Sequence, residues 1–157
     1  MTMDAVHPRV LADLGRALSL ELTAVQQYMT QAALAEAWGD RDAAARFRQE
    51  TVAEMGHAET LVQRMLSLGV APAASQLRPA GHAPDLAGLL RHDLALEDDL
   101  VNLYAEGARF CLHTGDTDNQ RLFQQLLDDE QQHAEDLAAW LQSLRGRPAP
   151  LAERALF

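Results

Sequence analysis

No lysine occurs among the 157 residues: all 13 basic side chains are arginine, set against 23 Asp and Glu, for a net charge of −10. An acidic chain without a basic run is a poor nucleic-acid binder and a good attractor of cations. The same charge also serves solubility. A single cysteine, Cys111, excludes an internal disulfide and any cysteine-rich metal site. It falls in an apolar helical stripe, where a thiol packs as a small core residue. Aromatics make up only 5% of the chain while Ala and Leu abound, which favours close-packed helices over a sheet. No apolar run approaches the length needed to span a bilayer, so no membrane partner is expected. No basic segment followed by an apolar run opens the chain, so no signal peptide is expected and the cytoplasm is the default location. The length suits one domain, 1–157, with a proper core.

What is present is helical periodicity, punctuated by Gly, Pro and Asp. A first helix is expected from Pro8, which suits a first helical position, to Trp38, with Gly39 as the stop. Its inward stripe is Val10, Leu14, Ala17, Glu21, Ala24, Tyr28 and Ala32, in steps of three and four. A second helix follows at once, capped by Asp40, and ends before Gly69; Phe47, Glu54, His57 and Leu61 lie on its inner face. Residues 70–84 hold Pro72, Pro79 and Pro84 and show no helical period, so they form a long ordered connection. A third helix runs from near Asp85 to about His113, with the stripe Leu86, Leu90, Asp93, Glu97, Leu100, Tyr104, Ala108 and Cys111. After Gly115, Asp116 or Thr117 caps a fourth helix carrying Leu122, Leu126, Glu130, His133, Leu137, Trp140 and Leu144. Gly146 and Pro148 stop it, and residues 150–157 could add a short terminal helix. Two tight turns around one long connection give an all-α, ferritin-like four-helix bundle with one crossover between the second and third helices.

Six residues stand out within these stripes. Glu21 precedes Glu54 by 33 residues, and Glu97 precedes Glu130 by 33 again. Each second Glu opens a Glu-x-x-His motif, Glu54-Met55-Gly56-His57 and Glu130-Gln131-Gln132-His133. One offset of 76 superimposes the halves, carrying Tyr28 onto Tyr104, Ala58 onto Ala134 and Glu59 onto Glu135. Two helical hairpins related by a pseudo-two-fold axis would produce this pattern. A single Glu-x-x-His is usually a solvated helix face. Two copies, each with an upstream Glu at equal spacing inside an apolar stripe, are the ligand inventory of a di-iron carboxylate site. Four buried carboxylates need compensating charge, which two divalent cations supply. Glu and His one turn apart let each Glu of the motif bridge two metals while its His binds one. Each metal then receives one His, one terminal Glu and two shared Glu, with positions open for dioxygen or peroxide. Glu50, Glu59 and Glu135 are expected at the surface or just behind the ligands. Tyr28 and Tyr104 lie two turns beyond Glu21 and Glu97. Each is either a core tyrosine or a donor to a ligating Glu across the bundle, or an electron donor, with Tyr28 ranked above Tyr104.

The segments Glu21-Leu22-Thr23-Ala24-Val25-Gln26-Gln27-Tyr28, Glu54-Met55-Gly56-His57-Ala58-Glu59, Asp93-Leu94-Ala95-Leu96-Glu97 and Asp129-Glu130-Gln131-Gln132-His133 resemble those of bacterioferritins, helix for helix. The resemblance implies a cytoplasmic 24-subunit cage of two-fold dimers. Each chain would oxidise Fe(II) with O2 or H2O2 at a di-iron centre of Glu21, Glu54, His57, Glu97, Glu130 and His133, and the cage would store ferric mineral. It further implies one haem b per two chains, held by Met55 from each, since Met55 occupies the family's position directly after the first motif's Glu. One residue beyond Glu54 is about 100° around the helix, so Met55 points out of the bundle; without the resemblance it reads as an interface packing residue. Electrons reaching such a haem, for example from a ferredoxin, would reduce stored Fe(III) for release. Arg48, Gln49 and Ala53 stand where many bacterioferritins carry Tyr, His and Asp, so an inner-surface iron site is not implied. Leu61 stands where a second aromatic often lies.

Two other functions use the same inventory. A non-storing di-iron peroxidase of the rubrerythrin type usually adds a Cys-x-x-Cys module, which one cysteine cannot form. A DNA-protecting miniferritin places its metals between subunits and often carries a basic tail, which is missing here.

Overall fold

The computed structural model describes residues 5–73 and 76–146. It contains four long helices: α1 (Pro8–Trp38), α2 (Arg41–Ser67), α3 (Leu86–Thr114) and α4 (Thr117–Ser143). The local signals act as expected. Pro8 opens α1 with the His7 ring accepting from Arg9 N at 3.1 Å. Gly39 adopts the left-handed conformation at φ 83°, which lets Asp40 N reach back to Ala35 O at 2.9 Å. Asp40 then caps α2 by accepting from Ala43 N at 3.0 Å. Gly115 and Asp116 repeat the same turn between α3 and α4, with φ 76° and an Asp116 N to Cys111 O bond of 2.9 Å. The internal duplication therefore extends to the turns.

These tight turns make α1 and α2 antiparallel neighbours, and α3 and α4 likewise; these are the most extensive helix pairs. Cross-links between α1 and α3 pair Tyr28 with Glu97 and Glu21 with Tyr104, so those helices also run antiparallel. It follows that α2 and α3 are parallel, and the chain between them must return along the whole bundle. A 27-residue helix is about 40 Å long, within reach of the 18 residues between Ser67 and Leu86 when extended. The connection is ordered against α1: Arg78 N donates to Thr23 Oγ1 at 3.2 Å and Gly81 N to Gln27 Oε1 at 3.3 Å. Gly81 lies so close to α3 that a Cβ there would sit 2.9 Å from His92 Cγ.

The apolar interior is divided in two. One cluster gathers Tyr28, Trp38, Phe47, Leu89, Leu90, Leu137 and Trp140; the other gathers Leu14, Leu61, Leu100, Tyr104, Cys111, Phe123 and Leu126. The expected core stripes of α1 and α3 are buried. On α4 two expected core positions are corrected, and one of them, Leu144, is the partly buried C-cap residue. Leu122 is only partly buried and Phe123 takes the core position, because Gly107 on α3 leaves room for its ring: a Cβ there would meet Phe123 Cδ2 at 3.0 Å. The short terminal helix expected at 150–157 lies outside the described residues.

Candidate metal centre

The boundary between the two clusters is where every helix contributes an ionisable side chain. Glu21 falls between Ala17 and Ala24 on α1, Glu54 between Phe47 and Leu61 on α2, Glu97 between Leu90 and Leu100 on α3, and Glu130 between Leu126 and Leu137 on α4. All four carboxylates are fully buried. His57 and His133, one turn beyond their Glu partners, complete the layer with side chains 12% and 17% exposed. All six residues expected from the sequence converge.

They form two overlapping quartets: Glu21, Glu54, His57 and Glu130, and Glu54, Glu97, Glu130 and His133. Within each, one ligand atom per residue lies within 4.8 Å of the others. Glu54 and Glu130 belong to both. His57 Nδ1 is 2.7 Å from Glu130 Oε1 and 3.0 Å from Glu54 Oε2. His133 Nδ1 is 3.0 Å from Glu54 Oε1 and 3.3 Å from Glu130 Oε2, the latter too poorly aimed for a hydrogen bond. The two rings stack with centroids 5.5 Å apart.

The electrostatics of the layer follow from its burial and its pairing. Burial drives the Glu21 and Glu97 carboxyls well above the ordinary range, and neighbouring carboxylates add to the rise. Burial acts in the same direction on Glu54 and Glu130, but the two adjoining imidazoles outweigh it and hold these two low. The imidazoles respond in kind. Burial favours their neutral forms, yet the adjoining Glu130 and Glu54 carboxylates push His133 up to about 10 and His57 higher still. Two imidazolium protons thus supply positive charge on the atoms that would face a metal. Even so, Glu21 Oε2, Glu97 Oε2 and Glu130 Oε2 are buried without a hydrogen-bond partner among the described residues. Buried oxygens of that kind are costly unless a cation meets them. A set of two imidazole nitrogens and four carboxylates fits two divalent ions of the iron type, whose binding would displace the imidazole protons.

Behind the ligands, Tyr28 donates to Glu97 Oε1 at 2.6 Å, and Tyr104 donates to Glu21 Oε1. Both hydroxyls are deeply buried and held protonated by burial and by the adjoining carboxylate. The ranking of Tyr28 above Tyr104 has no counterpart in the structure: the two stand in equivalent positions on opposite halves. Asp93, fully buried, accepts from Gln27 and Gln31, each at 2.7 Å, and burial pushes it up to about 7. Glu50 is half-buried, 3.8 Å from His133 Nδ1. Asp129 Oδ2 lies 3.3 Å from His57 Nε2. Sequence periodicity gave no sign of this last contact; the only hint was its place directly before the second Glu-x-x-His. Glu59 and Glu135 are exposed. Met55 points away from the centre, 55% exposed on the outer face of α2. Arg48 pairs with Glu36 at 3.1 Å, and Leu61 is fully buried. Cys111 is buried, with its thiol pushed up to about 11, so it behaves as packing.

Known proteins share both sequence and shape. The ferritin family, described as a ferritin-like domain, matches residues 11–146. The bacterioferritin of Rhodobacter capsulatus is 35% identical over 90% of this chain and 88% of its own length. That of Brucella melitensis is 34% identical over 88% and 86%. A solved structure of the Rhodobacter protein, with a metal-free dinuclear site and haem iron in a crystallographic special position, superimposes with a TM-score of 0.84 at 33% identity, covering 88% of this chain and 86% of that one. BfrA of Mycobacterium tuberculosis gives 0.83 at 31% identity, over 88% and 87%. With its fold, its layer of four Glu and two His and these relatives in agreement, the chain belongs to the bacterioferritin family of ferritin-like proteins.

Proposed function

We propose that Glu21, Glu54, His57, Glu97, Glu130 and His133 hold two iron ions per chain, and that the protein is an iron-storing ferroxidase. The observation that carries this reading is the pair of quartets sharing Glu54 and Glu130. Fe(II) is the substrate, Fe(III) the product, and dioxygen or peroxide takes the electrons. A bound pair of irons supplies two metals within reach of one oxidant. The chain's own groups do the rest. Glu54 and Glu130 are shared between the half-sites, while Glu21 and Glu97 each serve one. The imidazoles give up their Nδ1 protons as metal enters, and the tyrosine hydroxyls stay protonated and orient Glu97 and Glu21. The imidazoles are also the part-exposed edge of an otherwise buried layer, so ions approach across the α2 and α4 face.

Storage requires an enclosure, which the family supplies as a cytoplasmic cage of 24 chains built from two-fold dimers. A haem b would sit on that two-fold, one per two chains, between two Met55 thioethers. The surface there fits: Met55 and Val52 are exposed, and Gly56 has open space where a Cβ would lie. The two Met55 thioethers would hold the haem iron, and the group would supply electron transfer there. Electrons delivered by a ferredoxin-like donor would then reduce stored Fe(III) for release.

Anaerobic loading followed by exposure to O2 tests the centre. Fast oxidation should saturate at two Fe(II) per chain, and the Glu54→Ala, Glu130→Ala double variant should abolish it. Full fast oxidation in that variant would refute the assignment. Light scattering on the same sample should give the mass of a closed shell; a mass of one or two chains would instead support a non-storing di-iron oxidase.

A further inference from the structure

The contacts of the centre map onto themselves under the 76-residue offset. The bonds of His57 Nδ1 to Glu54 and Glu130 become the approaches of His133 Nδ1 to Glu130 and Glu54, and Tyr28–Glu97 becomes Tyr104–Glu21. On the far nitrogen of the imidazoles the match fails. Asp129 Oδ2 lies 3.3 Å from His57 Nε2. The residue corresponding to Asp129 is Ala53, and the ion-pair contacts of His133 all run through Nδ1. Glu21 also comes within 3.7 Å of His57 Nδ1, while among the described residues no such contact joins Glu97 to His133. Glu50 approaches His133, at 3.8 Å, but at Nδ1, the nitrogen that must be bare to bind a metal; its counterpart is Leu126.

We propose that Asp129 is a positioning residue that makes the half-sites unequal, so that the Glu21–His57 half takes a divalent cation first and the Glu97–His133 half follows with lower affinity. The inference rests on the metal-site reading above. A neutral imidazole carries one proton. A carboxylate facing Nε2 keeps it there, fixes the ring plane and makes the Nδ1 lone pair a better donor to metal. Losing such a partner typically weakens metal affinity about 10–100-fold. Asp129 is 48% exposed, which places the expected effect near the lower end, about tenfold. His133 has Ala53 in the equivalent place and receives no such support among the described residues. Glu50 cannot substitute, since from the metal side it can only favour a proton on Nδ1.

Cobalt(II) tests this without turnover, as its visible absorption reports ligation. The assembled protein, stripped with chelator, should bind two Co(II) per chain in two steps about tenfold or more apart. Asp129→Ala should weaken the first step by about tenfold and merge it with the second. Asp129→Asn, which retains an acceptor oxygen without the charge, should fall between. Ala53→Asp should supply the missing carboxylate and tighten the second step towards the first. Circular dichroism should show unchanged helix in each. Two equal steps in the unaltered protein would overturn the proposal while leaving the metal centre intact. So would an Asp129→Ala variant in which both steps weaken alike, the result of a general structural effect. Absence of any Co(II) binding would overturn the metal centre itself and the ordering with it.

Discussion

Asp93 offers a quantitative test of the buried polar chemistry beside the centre. It is fully buried on α3, and its Oδ1 accepts from both Gln27 and Gln31 of α1. Its Oδ2 and the Oε1 of Gln31 are both buried without a hydrogen-bond partner among the described residues. A proton on Oδ2 would give Gln31 Oε1 a donor and close a reciprocal pair. That agrees with a carboxyl moved from 3.8 to about 7, chiefly by burial and further by Glu50, against the two Gln bonds. Such a move corresponds to about 4 kcal/mol. Because the folded value lies above the unfolded one, this contribution is fully present below pH 3.8 and is lost as pH rises through about 7. Asp93→Asn should keep the acceptor for both glutamines, place an NH2 opposite Gln31 Oε1, and remove the titration. Denaturant midpoints of chelated wild-type and variant protein should therefore diverge in the variant's favour between pH 4 and pH 8, approaching about 4 kcal/mol. Comparing the two chains cancels contributions common to both, including those of the ligating carboxylates. A stability difference that stays constant across that range would refute the reasoning.

Other outcomes follow from the same geometry. Tyr28→Phe and Tyr104→Phe should destabilise the metal-free protein by similar amounts, about 1–3 kcal/mol each, because each leaves a buried Glu oxygen without its donor; thermal melts would show it, and a markedly larger effect at Tyr28 would contradict their equivalence. Met55→Leu should abolish haem absorbance while leaving Fe(II) oxidation intact, since Met55 faces away from Glu54 and His57; an unchanged haem spectrum would reduce Met55 to surface packing.

How far the sequence revealed this molecule depends on which interactions repeat. Helix limits were legible because Pro8, Gly39, Asp40, Asp85, Gly115 and Asp116 each do a local job that needs no tertiary partner. The six candidate ligands were legible because two equal spacings placed ionisable residues in apolar stripes. Asp129 was not, and for Glu50 only a place at the surface or just behind the ligands was. They are partly exposed, sit off the stripes, and acquire meaning only when α2 and α4 face each other. The crosswise pairing of the tyrosines likewise needs the antiparallel arrangement of α1 and α3. Phe123 was missed for a simpler reason: a period counted back from Leu126 reaches Leu122, and only the bare Gly107 on another helix shows why the ring turns inward instead.

The division of the core has a consequence for how the molecule comes apart. Among the described residues, the half-buried Leu20 alone packs against both apolar clusters. Elsewhere the two are separated by a plane of carboxylates and imidazoles that offers little hydrophobic adhesion. The bundle thus has a seam across its middle, and a pair of cations held by the six candidate ligands would rivet it closed. Metal supply would then bear on stability as well as on activity. In metal-free protein, amide hydrogens around Glu54 and Glu130 should exchange ahead of those near Trp38 or Phe123, and loading with metal should narrow that gap.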